Sequence, residues 1–179
     1  MTDVDELAVY VDVSAGRRVS GVSLVVPVAQ RASGGPGAIS LCAAAPQLPV
    51  AELELYAMQW ALQALRAALA VAAPQPRRWT VYSDSRYAVD AASSGCGKNA
   101  TSRAQRLQLA VMGECAAAVR LFHADVRFVR VARTKNVADT ELRKWMSQNR
   151  LLLANRRRKR KRTGRSSSKA CSSPAAAPK

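Results

Sequence analysis

Residues Leu7–Val13 read LAVYVDV, an apolar run typical of a buried strand, and the run carries one acid, Asp12, near its end. A second run, Trp79–Asp84 (WTVYSD), ends on an acid in the same way. Burying an unpaired carboxylate is costly, so packing alone does not explain acids at these places. The two runs therefore predict strands whose acids have a chemical purpose.

Further elements follow outward from these two strands. Turn signals and apolar periodicity predict strands over 19–28, 38–45 and 126–131. They also predict helices over 50–72, 85–92, 103–120 and about 136–153. The resulting order, β-β-β-α-β-α-α-β-α, predicts an α/β fold. Its mixed five-stranded sheet has three antiparallel strands followed by parallel strands, and helices flank it.

Composition narrows the class of protein. The four cysteines have neither CxxC spacing nor nearby histidines, which argues against a zinc site and favours a reduced compartment. The acidic N-terminus, MTDVDEL, lacks the order of a signal peptide, so the chain is not expected to be secreted. The apolar stretch Tyr56–Ala73 contains Gln59, Gln63 and Arg66, so it reads as a buried helix face and not as a membrane span.

The charge of the chain is high and uneven. The 179 residues carry a net charge of +16. Residues 156–179 hold 10 of the 28 Lys and Arg residues and none of the 12 acids, leaving 18 cations against 12 acids in residues 1–155. We therefore expect one domain over 1–155 and a disordered basic tail with Ser, Ala and Pro over 156–179. Nucleic acid is the expected partner, and a solvated tail without a specific purpose is the alternative.

Two further acids, Glu54 and Asp139, lie in the first turns of predicted helices. Glu54 shares a helix face with Met58 and Ala61 and is predicted to point to the sheet, whereas Glu52 is predicted to point more toward solvent. If Asp12, Glu54, Asp84 and Asp139 converge, their oxygens suit Mg²⁺ or Mn²⁺.

Each acid also has an ordinary explanation. Asp12 is compatible with a bond to the turn at Ser14, and Glu54 with the dipole at a helix start. Asp84 is compatible with a helix N-cap, and Asp139 with a capping box closed by Asn136. Only the four acids taken as an ordered set favour a metal site.

Four motifs resemble the ribonuclease H family. Tyr10–Ser14 (YVDVS) is similar to its first-strand D-x-S, and Glu54–Leu65 (ELYAMQWALQAL) to its first helix. Tyr82–Tyr87 (YSDSRY) is similar to its D-S-x-Y, and Asn136–Asp139 (NVAD) to the N-x-A-D of retroelement, reverse-transcriptase-associated and hepadnavirus-like members. The resemblance covers roughly residues 5–150.

The resemblance implies a function. Asp12, Glu54, Asp84 and Asp139 take the places of the family's catalytic, metal-binding acids. Two Mg²⁺ (or Mn²⁺) ions would serve hydrolysis of the RNA strand in RNA–DNA hybrids, with a reverse transcriptase or ribonucleoprotein as a candidate partner. Candidate substrate contacts are Ser14, Ser85, Arg86, Lys98, Arg133 and Lys135, with Arg103 and Arg106 as further candidates.

The chain departs from the family at the loop before the last helix. Many members carry a histidine there, whereas this chain reads Ala132–Lys135 (ARTK). The single histidine, His123, is expected to be a surface or packing residue. This departure motivates a second interpretation, a weak or inactive binding or assembly module. An integrase- or resolvase-type nuclease is a third, which the D-S-R-Y and N-x-A-D motifs disfavour.

The tail begins with seven consecutive cations. Such a run predicts a nuclear localisation signal or a nucleic-acid patch. We expect a nuclear or otherwise cytoplasmic monomer without membrane contact. The run consists of Arg156, Arg157, Arg158, Lys159, Arg160, Lys161 and Arg162.

Overall fold

The elements follow the predicted order. A computed structural model describes residues 5–16, 19–28, 37–71 and 75–149. Strands in this part of the chain are β1 (Glu6–Ser14), β2 (Ser20–Val28), β3 (Gly37–Ala45), β4 (Arg78–Ser83) and β5 (Asp125–Arg130). The helices are α1 (Val50–Leu69), α2 (Arg86–Ser94), α3 (Ser102–Phe122) and α4, which is described over 137–149.

The strands form one mixed sheet in the order β3-β2-β1-β4-β5. β1 pairs antiparallel with β2, and β2 antiparallel with β3. β1 also pairs parallel with β4, and β4 parallel with β5. The predicted mixed five-stranded sheet is confirmed. Its topology places the carboxyl ends of β1 and β4 side by side at the centre of the sheet.

The main core lies between the sheet and helices α1 to α3. Val9 and Val11 of β1 are buried against this layer, together with Met58 and Ala61 of α1. Trp79 of β4 is fully buried, and its ring lies 5.5 Å from the ring of Phe122. The apolar stripe predicted for α1 therefore faces the core, which holds the helix across β1.

Element boundaries differ from prediction by a few residues. α2 reaches Ser94, which was predicted to be loop, and α3 begins after Thr101 because the Thr101 hydroxyl accepts a hydrogen bond from the Ala104 N–H. A short 3₁₀ turn over Arg133–Lys135 was not predicted. A three-residue turn leaves no periodicity in the sequence, so pattern reasoning has nothing to detect.

The chain divides into two compact units, Met1–Met146 and Ser147–Lys179. Only residues 147–149 of the second unit are described, and they are helical. The predicted domain boundary after residue 155, the basic tail and most of the predicted turn at 34–37 lie outside the described residues. None of the described helices combines the length and apolarity needed to cross a membrane.

Candidate active site

The sheet brings Asp12 and Asp84 to the same level. In the parallel pair of β1 and β4, Tyr10 is level with Tyr82, and the two rings stack with centroids 4.8 Å apart. Asp12 and Asp84 each follow their tyrosine by two positions. Asp84 does not cap α2, because Ser85 is the N-cap and its hydroxyl accepts from the Ala88 N–H. The helix-cap explanation of Asp84 is therefore wrong.

Glu54 reaches this region from α1. Its carboxylate accepts a hydrogen bond from the Ser85 hydroxyl. Ser85 is buried, and its own N–H donates to the Ser83 hydroxyl at 3.2 Å. The Ser85 hydroxyl thus holds Glu54 at the junction between β4 and α2. The predicted contact of Ser85 with substrate stays a prediction.

The prediction for Glu52 is wrong. Its side chain is buried, and its carboxylate accepts from the Thr101 hydroxyl at 2.8 Å and from Arg103 at 3.4 Å. The start of α3 covers this face of α1, which the periodicity of α1 alone does not reveal. Arg103, a candidate substrate contact, is thus engaged within the protein.

Asp139 lies in the first turn of α4, which a buried asparagine attaches to the sheet. Asn136 is only 3% exposed; its side-chain amide donates to the Val11 carbonyl at 2.9 Å, and its oxygen accepts from the Ala138 N–H at 3.3 Å. The Ser23 hydroxyl donates to the Ala138 carbonyl at 3.0 Å. Asn136 therefore caps α4 as predicted, and it also connects α4 to the strand that carries Asp12.

The carboxylate of Asp139 is held by an arginine that sequence reasoning missed. Arg143 Nε donates to Asp139 Oδ1 at 2.9 Å, and Arg143 Nη2 lies 2.7 Å from Oδ2. The capping-box explanation fails, because the Asn136 N–H donates to the Arg133 carbonyl. An arginine four residues after an acid on a helix is the signal that would have revealed this pair.

Electrostatics link three of the four acids. The pKa of Asp12 is raised to about 7, first by burial and then by the negative charge of Asp84. A backbone hydrogen bond at Val13 opposes this rise. Asp139 contributes to the increase, and the positive charge of Arg133 opposes it. Asp12 is therefore placed where a cation would be stabilised.

Glu54 is coupled to the same group. Burial raises its pKa, the hydrogen bond from Ser85 opposes the rise, and the charge of Asp84 adds to it. Asp84 thus acts on both Asp12 and Glu54. Taken together, these couplings place the four predicted acids in one electrostatic neighbourhood.

The described residues do not contain a ready metal cage. Among them, no three or more His, Cys, Asp or Glu side chains are arranged to hold a metal ion. Two of the four acids already bind side-chain partners, Glu54 with Ser85 and Asp139 with Arg143. The donor chemistry nevertheless fits hard divalent cations, because all four groups are carboxylates.

Most candidate substrate contacts lie on exposed surface. Arg133 and Lys135 occupy the 3₁₀ turn before α4, and Arg86 lies 3.4 Å from Asp90. Ser14 is half-buried at the end of β1. The run Arg156–Arg162 lies outside the described residues.

Lys98 borders a pocket of about 430 Å³ on the side of α1 that carries Glu52. Tyr87, Asn99 and Thr101 also line this pocket. Tyr87 follows Asp84 by three positions in the YSDSRY motif, and Glu52 of α1 also lines this largely apolar pocket.

The only histidine of the sequence does not lie in the loop before α4. His123 is exposed and ends α3 in the left-handed conformation, with φ of 51°. The expected surface position is confirmed.

Comparison with solved structures identifies the fold. The N-terminal RNase H domain of a Mycobacterium tuberculosis protein is similar at a TM-score of 0.59 and 16% identity, covering 80% of this chain and 94% of that one. RNase H1 of Halobacterium salinarum is similar at a TM-score of 0.55 and 15% identity, covering 74% of this chain and 90% of that one. LC11-RNase H1, solved in complex with an RNA/DNA hybrid, is similar at a TM-score of 0.55 and 17% identity, covering 75% of this chain and 91% of that one.

The chain therefore has a ribonuclease H-like fold, as the motifs predicted. No protein-family model matches the sequence, and no curated protein shows significant similarity to it. At 15–17% identity the likeness establishes the fold alone.

Proposed function

We propose that this chain is a metal-dependent endonuclease that hydrolyses the RNA strand of RNA–DNA hybrids. The observation that carries the proposal is the electrostatic coupling of Asp12 with Asp84 and Asp139, and of Glu54 with Asp84, within this fold. The structure of LC11-RNase H1 with an RNA/DNA hybrid supports the choice of substrate.

In the proposed reaction, a water oxygen bonds to phosphorus and the bond from phosphorus to the 3′ oxygen breaks. The attacking water loses a proton, and the leaving 3′ oxygen gains one. Asp12, Glu54, Asp84 and Asp139 would hold two Mg²⁺ or Mn²⁺ ions, which activate water and stabilise the leaving oxygen when bound. Asn136 and Ser85 position the acids, and one chain supplies all four of them.

Cationic side chains at the rim would bind the polyanion. Arg133 and Lys135 stand where many relatives carry a histidine, and their charges suit phosphate. Lys98 and the cations of the run Arg156–Arg162 are further candidates for phosphate contacts. The run also suits nuclear import, and a reverse transcriptase or ribonucleoprotein remains a candidate partner.

The test is cleavage of a labelled hybrid with Mg²⁺ or Mn²⁺, comparing the parent with Asp84→Asn. We expect parent activity that depends on the metal and a loss of at least about a hundredfold in the variant. An inactive parent under both metals and across salt concentrations contradicts the proposal.

A second candidate is a binding or assembly module of a ribonucleoprotein or retroelement. The pairing of Arg143 with Asp139 favours it, because that pair occupies one of the four acids. Hybrid binding that is independent of metal, without cleavage, is the result expected for this function.

A further inference from the structure

β3 forms an open edge of the sheet. It pairs with β2 over nine residues, from Ser20 with Ala45 to Val28 with Gly37. Within the described residues no strand lies on its other side. Every second N–H and C=O of β3 therefore points away from β2. Such a row of backbone groups is a template for pairing with another strand.

This edge lacks the features that normally prevent pairing. β3 reads GAISLCAAA, without charge or proline, and its register with β2 is uninterrupted. Ile39 and Leu41 are 63% and 46% exposed. The opposite edge, β5, has only six residues and carries Asp125, Arg127 and Arg130. In the part of the chain that the structure describes, charge and short length thus protect one edge of the sheet, and the other edge is left open.

In place of the monomer expected from the sequence, we propose that β3 pairs antiparallel with β3 of a second copy of this chain, joining two sheets across a two-fold axis. A two-fold axis makes equivalent strands antiparallel and their surfaces self-complementary. In the register centred on Leu41, Leu41 meets its own copy, Ile39 meets Ala43, and Ser40 meets Cys42. Two leucines meet at the centre, Ile39 meets the small Ala43, and no charges face each other.

The absence of charge on β3 favours a second copy over a charged partner. A charged strand would gain no ion pair here and would desolvate its own groups. The strand β2 separates β3 from β1, so pairing through β3 leaves Asp12 on β1 and Asp84 just after β4 uncovered. The inference therefore stands independently of the proposed activity.

Salt distinguishes this association from polyanion binding. Each copy has a net charge of +16, so two copies repel each other. Added salt screens this repulsion and strengthens pairing through β3. The same salt weakens binding to nucleic acid.

The test is the mass of the full chain in solution, measured by sedimentation over a wide concentration range with a reductant present. We expect a monomer–dimer equilibrium that salt shifts toward dimer. Ile39→Lys should weaken dimerisation by about tenfold or more, because a lysine on an edge opposes strand pairing. The matched control is Leu109→Lys on α3, since Leu109 is also 63% exposed and should leave the equilibrium unchanged.

Hydrogen exchange tests the backbone pairing itself. The outward N–H groups of β3 should become more protected as protein concentration rises, and Ile39→Lys should abolish this gain. Both variants should retain the parent's circular dichroism spectrum, and at concentrations where the parent is monomeric they should retain its melting temperature. A monomer at every concentration and salt overturns the inference, and so does an equal effect of Leu109→Lys. Concentration-independent protection also overturns it, since a segment of the same chain would then cover the edge.

Discussion

At the scale of single residues, the four acids differ in how freely they can bind a cation. Both oxygens of Asp139 face Arg143, whereas Asp12 is buried beside other carboxylates. Arg143 is itself 68% exposed, so its bond to Asp139 competes with water and is modest in energy. Arg143 is therefore expected to affect how strongly the four acids bind a cation.

We predict that Arg143→Gln tightens Mn²⁺ binding by roughly threefold to tenfold, because it removes a positive charge and frees Asp139. Titration calorimetry measures the affinity directly. Lys144→Gln is the matched control, since Lys144 is 64% exposed on the same helix and pairs with Glu141. Weaker binding in Arg143→Gln would show that Arg143 supports the site instead.

The raised pKa of Asp12 makes the stability of the fold depend on pH. Its folded pKa of about 7 lies above the ordinary 3.8, so the folded chain keeps a proton that the unfolded chain releases between these values. This contribution to stability is present in full below 3.8 and is lost as pH rises through about 7.

Asp12→Asn removes this titration, so the variant should lose less stability between acidic and mildly alkaline pH than the parent. We expect a difference of roughly 1–3 kcal/mol after allowance for solvent screening. Urea unfolding without divalent cations, at several pH values, measures it. Identical pH profiles for parent and variant would contradict the shift.

The sequence singled out four acids that are electrostatically coupled in the structure, but it did not reveal their hydrogen-bond partners. Each acid stands in a local motif, so spacing could identify it. The bond between Asn136 and Val11 joins residues far apart in the chain and leaves no local pattern. Glu52 was misplaced for the same reason, because α3 covers it from a distant part of the sequence.

At the scale of elements, the docking of α4 on the sheet decides where Asp139 lies. Gly21 of β2 allows α4 to approach closely. A Cβ added there would lie 2.9 Å from Trp145, 3.0 Å from Met146 and 3.1 Å from Leu142. The lack of a side chain at Gly21 therefore leaves room for the side chains of Trp145, Met146 and Leu142.

We predict that Gly21→Ala destabilises the fold by about 1–3 kcal/mol, because the new methyl group forces α4 outward. Gly113→Ala on α3 is the control, since an added Cβ there meets nothing within 4 Å. That change should stabilise the helix by roughly 0.5–1 kcal/mol. Thermal unfolding of both variants measures these changes in stability. Equal changes for Gly21→Ala and Gly113→Ala would contradict the packing argument.

Strand and helix identity followed from periodicity because each element buries one face. The mixed sheet, with an antiparallel meander followed by parallel strands, followed from general rules of connection. The contacts of α4 could not be predicted in this way, because they depend on Gly21 and Ser23 in β2. Sequence patterns report which face is buried but not which element covers it.

At the scale of the whole molecule, charge divides the chain. The tail residues 156–179 carry ten cations and no acid. If they bind phosphates, their contribution is independent of base sequence and strongly dependent on salt.

We predict that a chain ending at Asn155 binds hybrid more weakly and with a shallower salt dependence. The slope of the logarithm of the binding constant against the logarithm of the salt concentration should decrease in magnitude by roughly 0.9 for each phosphate that the tail neutralises in the full chain. Fluorescence anisotropy at several salt concentrations measures both quantities. A variant with glutamine at the seven cations of Arg156–Arg162 separates charge from length. An unchanged slope would show that the tail does not bind the nucleic acid.

His123 gives the molecule a useful spectroscopic property. It is the only imidazole in the chain, and it stands at the left-handed end of α3, just before β5. Its ring protons therefore give one set of signals in a proton NMR spectrum, with no second histidine to overlap them. Unfolding of the junction between α3 and β5 can thus be followed at a single site without isotope labelling.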